Sequence, residues 1–243
     1  MTSAVSPDTQ RDLAPTGKLR VGLNYGNFLL VLRDKPDGTP QGIAPDLARE
    51  LAKRLEMGVE FIKFEAAGKL ADGVKTGAWD VAFLGNEPQR AAEIAFSPAY
   101  LEIPVTYLVP AGSPIQALAD VDKKGVRIAV ADKSAYHLFM MRELKSAELV
   151  SADGIDGSYK LFIDSKLDAL AGLKPRLLTD QQKNPGSRVL DGQLTTVQQS
   201  IGVPKSHEAA ARYLKEFAEE MKKSGFVAEA IARHKVPGVA VAP

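Results

Sequence analysis

Residues 79–100 read WDVAFLGNEPQRAAEIAFSPAY, and the fold follows from how this stretch changes character half-way. The first half, WDVAFLG, is a short apolar run closed by glycine, the pattern of a strand buried on both faces in a parallel sheet. The second half turns polar at once through Asn86, Glu87, Pro88, Gln89 and Arg90. There EPQRAAEI reads as a helix with proline in its first turn. A buried strand followed by a polar turn and a helix is an α/β unit, and in such sheets ligands sit beyond the carboxyl ends of the strands. Arg90 is therefore expected at the mouth of a cleft, where a guanidinium grips a carboxylate through two parallel hydrogen bonds. The competing reading is a solvated arginine paired with Glu87 or Glu93.

Outward from this stretch the same alternation repeats. KLRVGLNYGN is a strand broken by glycine and asparagine, and RDKPDGTPQG is a loop. IAPDLARELAKRLEM carries Leu47, Leu51 and Leu55 at helical spacing, VEFIKF is a strand, and KLADGVKTGAW is a short helix. After IPVTYLVP and a passage rich in proline and glycine, KKGVRIAVADKSAYHLFMMREL starts a second unit of strand, polar turn and helix. AELVSA, GSYKLFIDSK and LDALAGL continue it as strand, helix and strand, and a helix starts near Pro175. RVLDGQLTTVQQSIGVPK is extended, and EAAARYLKEFAEEMKKSGF is an amphipathic helix ended by Gly225. Strands alternating with helices predict an α/β fold with mostly parallel sheets.

The 243 residues suffice for one large domain or two small ones. A formal net charge of +1 gives no basic surface for nucleic acid or anionic membrane, so neither is expected as a partner. The absence of cysteine excludes disulfides, thiolate metal sites and cysteine nucleophiles. His137, His207 and His234 lack metal spacing and are read as surface residues, and no cofactor is expected. The first 18 residues are polar, read as a loose leader, and lack the apolar core of a secretory signal.

In order along the chain, KLRVGLNYG, GIAPDLARELAKRL, GAWDVAFLGNEPQRAAEIAFSPAY, GVRIAVADKSAY, KLDALAGLKP and IGVPK resemble the family 3 solute-binding proteins, the polar amino-acid receptors of ABC importers. The likeness runs from Lys18 to about His234, and an arginine followed by FSPAY is its most specific motif. It implies the type II periplasmic-binding-protein fold: two α/β lobes joined by two hinge strands, with the ligand held between them by hinge closure. Lobe one would be residues 1–107 plus 200–243, with the tail after Pro204 packed back on it, and lobe two residues 108–199. The resemblance further implies a monomer that is no enzyme, a periplasmic location, a small carboxylate ligand and an ABC permease as partner.

The ligand set carried over by the resemblance is Asn24, Asn27 and Phe28 in the first turn; Gly85, Asn86, Glu87 and Arg90 in the second; Lys133, Ser134, Ala135 and Tyr136 at the start of a helix in lobe two; and Leu173. Arg90 would clamp the α-carboxylate, and Asn86 would replace the hydroxyl donors that this shortened turn has lost. Lys133 stands where the family has glycine, and either adds charge to the cleft or occludes it. Asn27 and Ala67 stand where the family has aromatic residues, so Tyr25, Phe28 and Tyr136 are the candidates to replace that surface. Leu173 stands where the family has an acid for the ligand ammonium, and an ammonium buried against leucine loses its counter-charge. A carboxylate without a buried amine is therefore expected, and common L-α-amino acids are expected to bind weakly. Two rivals share the fold: a cyclohexadienyl-dehydratase-like enzyme, with Glu87 and Asp132 as its few acid groups, and a cytoplasmic ligand-sensing homologue.

Overall fold

The computed structural model describes residues 5–32 and 34–243. In chain order the elements are α1 (Pro7–Leu13), β1 (Lys18–Asn24), α2 (Ile43–Arg54), β2 (Gly58–Phe64), α3 (Ala67–Asp72), β3 (Val81–Gly85), β4 (Ile94–Phe96) and β5 (Leu101–Val109). There follow β6 (Arg127–Ala131), α4 (Ala135–Glu143), β7 (Glu148–Ala152), α5 (Gly154–Asp164), β8 (Ala169–Leu173), α6 (Lys174–Lys183) and β9 (Arg188–Val189). The chain ends with β10 (Thr195–Pro204), α7 (Glu208–Lys223), α8 (Phe226–Arg233) and β11 (Ala240–Val241). These form two compact units. The first holds the described residues up to Glu102 together with Gln198–Pro243, and the second is Ile103–Val197. The chain thus leaves the first unit inside β5 and re-enters it inside β10.

In the first unit β1 lies between β2 and β3, parallel to both, with Leu23 opposite Phe83. β10 then adds antiparallel to β3, and β4 pairs with β10. Leu19, Val21 and Leu23 on β1 and Leu47 and Leu51 on α2 are fully buried, as the strand alternation and the helical spacing require. A cluster of Leu70, Trp79, Ala82, Leu84 and Ile94 fills the neighbouring space, and the Trp79 indole N–H donates to the Leu70 carbonyl at 2.8 Å. Gly22 is required here, because a Cβ at that position would lie 2.5 Å from Leu70 Cδ1. Tyr213, Leu214, Phe217 and Met221 form the buried stripe of α7.

In the second unit β6 lies between β7 and β8, again parallel to both, and β5 adds antiparallel to β8. Leu108, Ala129, Phe162, Leu167, Leu170 and Leu177 make its core. No described helix is long and apolar enough to cross a membrane.

Three sequence expectations are corrected. The N-terminal leader was expected to be loose, yet its described part contains α1, begun by Ser6, whose side chain accepts from Thr9 N–H at 3.1 Å; residues 1–4 lie outside the described set. Asp12 on α1 accepts from the main-chain N–H groups of Ala209 and Ala210 at 3.1 and 3.2 Å, so it caps α7, which has no side-chain cap of its own. The stretch EPQRAAEI forms only a 3₁₀ turn at Arg90–Ala92, because the chain enters β4 two residues later and pairs with β10. Two of the three histidines are not surface groups. His137 is buried, and His234 is mostly buried, with its Nε2 2.7 Å from Asp46 Oδ2.

Candidate functional site

The candidate residues of the first unit lie in two turns at one edge of its sheet. The β1–β3 register makes the two strands end together, so the turns after Asn24 and after Gly85 share the carboxyl edge. The first turn is held by its asparagines. Asn24 Oδ1 accepts from Gly26 N–H at 3.1 Å, and Asn27 Oδ1 accepts from Leu29 N–H at 3.2 Å while its carbonyl accepts from Leu30 and Val31. These are turn-forming bonds of the kind asparagine side chains make locally. Asn27 is buried by them, whereas Phe28 stands 37% exposed, unusual for a large apolar side chain.

Tyr25, the other aromatic of this turn, has a different job. Its hydroxyl donates to Asp34 Oδ1 at 2.9 Å, and Lys63 Nζ bonds the other oxygen of Asp34 while lying 4.8 Å from the Tyr25 ring centre. Burial, followed by the Asp34 contact, pushes the Tyr25 phenol up to about 12, and Lys63 and then Tyr25 hold the Asp34 carboxyl below its usual range. The phenol is thus a neutral donor committed to the loop that contains Asp34.

The second turn is built around a buried charge. Arg90 is only 6% exposed and its Nη1 donates to the Gly85 carbonyl at 2.7 Å, while its main-chain N–H donates to the Glu87 carbonyl at 2.9 Å. The guanidinium therefore turns inward against its own turn, where the sequence predicted either a projecting clamp or a solvated side chain. Burial pulls its pKa down to about 10, opposed by the charges of Glu87 and Asp72, so it remains a cation at neutral pH. Glu87 is buried with it, and Asn86 is exposed, its main-chain N–H donating to the Gln198 carbonyl at 2.8 Å.

In the second unit the parallel register of β6 and β8 brings the turn after Ala131 and the end of β8 at Leu173 to one edge. Lys133 is exposed and has φ +50, a left-handed backbone that glycine adopts without strain, which accounts physically for a glycine preference at this place. Its N–H donates to His137 Nδ1 at 2.9 Å. Ser134 caps α4, accepting from His137 N–H at 3.1 Å. Because Nδ1 accepts, the imidazole is neutral with its proton on Nε2. Burial lowers its pKa, against the pull of Asp132 at 3.5 Å. Ala135 and Tyr136 are buried in the first turn of α4, and the Tyr136 hydroxyl has no hydrogen-bond partner among the described residues; burial pushes its pKa up to about 12. Leu173 is buried and pairs with Val105 of β5. Among the described residues no group of three His, Cys, Asp or Glu side chains is placed to hold a metal ion.

Comparison with known families decides what this arrangement belongs to. The family described as "Bacterial extracellular solute-binding proteins, family 3" matches residues 19–235. The chain belongs to this family. Solved structures agree with it. A receptor for L-cysteine of Neisseria gonorrhoeae superposes with a TM-score of 0.79 at 22% identity, covering 94% of this chain and 94% of that one. A mutant of ArgBP from T. maritima gives 0.76 at 20% identity, covering 93% and 99%. An ancestral amino acid-binding protein described as a precursor of cyclohexadienyl dehydratase gives 0.74 at 21%, covering 93% and 98%. At these identities the likeness establishes the fold, the type II periplasmic-binding-protein fold, in a family whose members are binding proteins.

Within this family 3 protein the candidate segments of each edge are brought together by strand register: the turns after Asn24 and Gly85 in the first unit, and the turn after Ala131 and the end of β8 in the second. The sequence missed three participants. Asp72 acts on Arg90 from α3, thirteen residues before β3 ends, with no spacing to mark it. Gln198 reaches the second turn only through β10. His137 was read as a surface residue, although its place three residues after a capping serine, where a side chain returns to the helix start, is a signal that could have found it.

Proposed function

We propose that this chain is the substrate-binding component of an ABC importer, acting in the periplasm as a monomer, and that it captures a small carboxylate-bearing solute by ligand-driven closure of its two units. The observation that carries the reading is Arg90, a guanidinium buried at the carboxyl edge of the sheet and fixed there by the Gly85 carbonyl. A cation held in place before the ligand arrives gives a short, charge-assisted bond without the entropy cost of ordering a long side chain. In the second unit the start of α4 offers the positive end of a helix dipole, and the Tyr136 hydroxyl, without a hydrogen-bond partner among the described residues, offers a donor.

Leu173 sets the chemistry of the remainder of the ligand. A buried leucine at the end of β8 offers no counter-charge, so an ammonium placed against it would be desolvated without compensation. The favoured ligand is therefore an organic acid or amino-acid-like carboxylate without a buried amine. A thermal-shift screen of organic acids against the common amino acids tests this. A carboxylate at a hundred times its Kd adds about 2.7 kcal/mol of stability and raises Tm by several degrees. A large shift with glutamine or arginine and none with any organic acid would overturn the Leu173 argument.

A second reading, a dehydratase on the same fold, is favoured by one observation: the Glu87 carboxylate is buried alongside Arg90, where a general acid would have to be. Turnover of a prephenate-like substrate would establish it.

A further inference from the structure

The chain passes from the first unit to the second after Glu102 and returns at Gln198, and these two residues are joined side chain to side chain. Gln198 Nε2 donates to Glu102 Oε1 at 2.7 Å, linking β10 to β5 at the last and first residues that belong to the first unit. The same Gln198 accepts, through its main-chain carbonyl, the N–H of Asn86 at 2.8 Å. Its neighbour Gln199 pairs with Gly85 in the ladder and accepts from the Tyr100 N–H at 2.8 Å. One residue thus touches the turn that holds Arg90 and, through its side chain, the other strand on which the chain leaves the unit.

We infer that Gln198 is a positioning residue that couples the turn of residues 85–90 to the strand pair β5 and β10, so that seating a ligand at that turn biases the strands joining the two units. The inference rests on the proposed binding function for its purpose, but its geometry lies wholly within the first unit. The chemistry suits the task. A neutral amide donating to a carboxylate is a directional, charge-assisted bond that fixes the separation of two strands without burying a net ion pair. Gln198 is half-buried, so the bond is partly shielded from competing water.

The test needs no ligand, so failure of the proposed function leaves it intact. Gln198→Glu sets two carboxylates against each other, and the double variant Gln198→Glu with Glu102→Gln restores an amide–carboxylate pair with its direction reversed. Hydrogen exchange of the Asn86 amide is read against that of a core amide such as Val21. Because the protein has no cysteine, spin labels at Glu60→Cys and Glu148→Cys report the distance between the units without background. The expected result is that Gln198→Glu lowers Asn86 protection about fivefold or more relative to Val21 and broadens the distance distribution. The double variant should return both to within about twofold of the starting protein. Should Gln198→Glu fail to fold, Gln198→Ala carries the same expectation without the added charge. Asn86 protection that falls only in step with Val21, or a double variant that recovers neither reading, would reduce the bond to ordinary strand packing and overturn the inference.

Discussion

The turn after β3 and the turn after β6 stand at equivalent places, each at the carboxyl edge of a parallel trio of strands, yet they are built on different physics. The first encloses a cation: Arg90 is buried, fastened to Gly85 and flanked by Glu87 and Asp72. The second encloses no formal charge, being closed by a serine cap and a neutral histidine that accepts from the Lys133 N–H. Their cation is Lys133, which stays in solvent. A guanidinium remains charged when buried, whereas an ammonium gives up its proton far more readily, so the buried role falls to arginine and the exposed one to lysine. The lesson is that two edges of the same construction carry different electrostatics, a fixed charge in the first unit and oriented dipoles in the second.

The largest expected effect falls on the charged turn. Arg90→Ala should weaken carboxylate binding by about tenfold to about a hundredfold, the equivalent of about 1.5–3 kcal/mol for a hydrogen bond to a charged group, measured by calorimetry with the best acid from the thermal screen. Unchanged affinity would mean that the buried cation serves the fold alone and would dissolve the contrast between the turns.

A smaller effect is expected at the dipolar turn. Ser134→Ala removes the cap of α4 and the acceptor for His137 N–H, and should cost about 1 kcal/mol, or about 2–4 °C in Tm. A loss well above this in calorimetric unfolding would show that the cap supports more than its helix.

The smallest effect belongs to Lys133→Gly. The left-handed backbone costs a non-glycine residue about 1–2 kcal/mol, and glycine returns part of this through the greater freedom of its unfolded chain. The variant should therefore gain less than about 1 kcal/mol in denaturant unfolding. A destabilised variant would mean that the lysine stem packs against the turn and contributes more than its backbone strain costs.

How much of this was legible depended on the range of the interactions. Strands such as residues 81–85 and 169–173 announced themselves because burial on both faces leaves an unbroken apolar run. The amphipathic stripe of α7 was equally plain, since it is a local pattern repeated over many turns. The helix expected after Pro88 failed because propensity is a weak prior beside the demand of β10 for a partner strand at residues 94–96. Tyr25 was a candidate for the ligand-stacking surface and is instead tied to Asp34, nine residues further on, and to Lys63, which the β1–β2 register brings beside it. The identity of Arg90 as a special residue was visible in its motif. Its inward orientation was not, because the carbonyl that holds it carries no sequence signature.

The interleaving of the first unit bears on the order in which a nascent chain is able to fold. Its strand β3 needs β10 as a neighbour, and Asp12 near the start of the chain caps a helix that begins at Glu208. The second unit, by contrast, is one unbroken segment, Ile103–Val197. During synthesis at roughly 5–20 residues per second, the opening hundred residues must therefore wait several seconds, with an incomplete sheet, until the last segment emerges. The unit begun first is the one completed last, whereas the second unit has its whole segment in hand before the closing strands of the first have appeared.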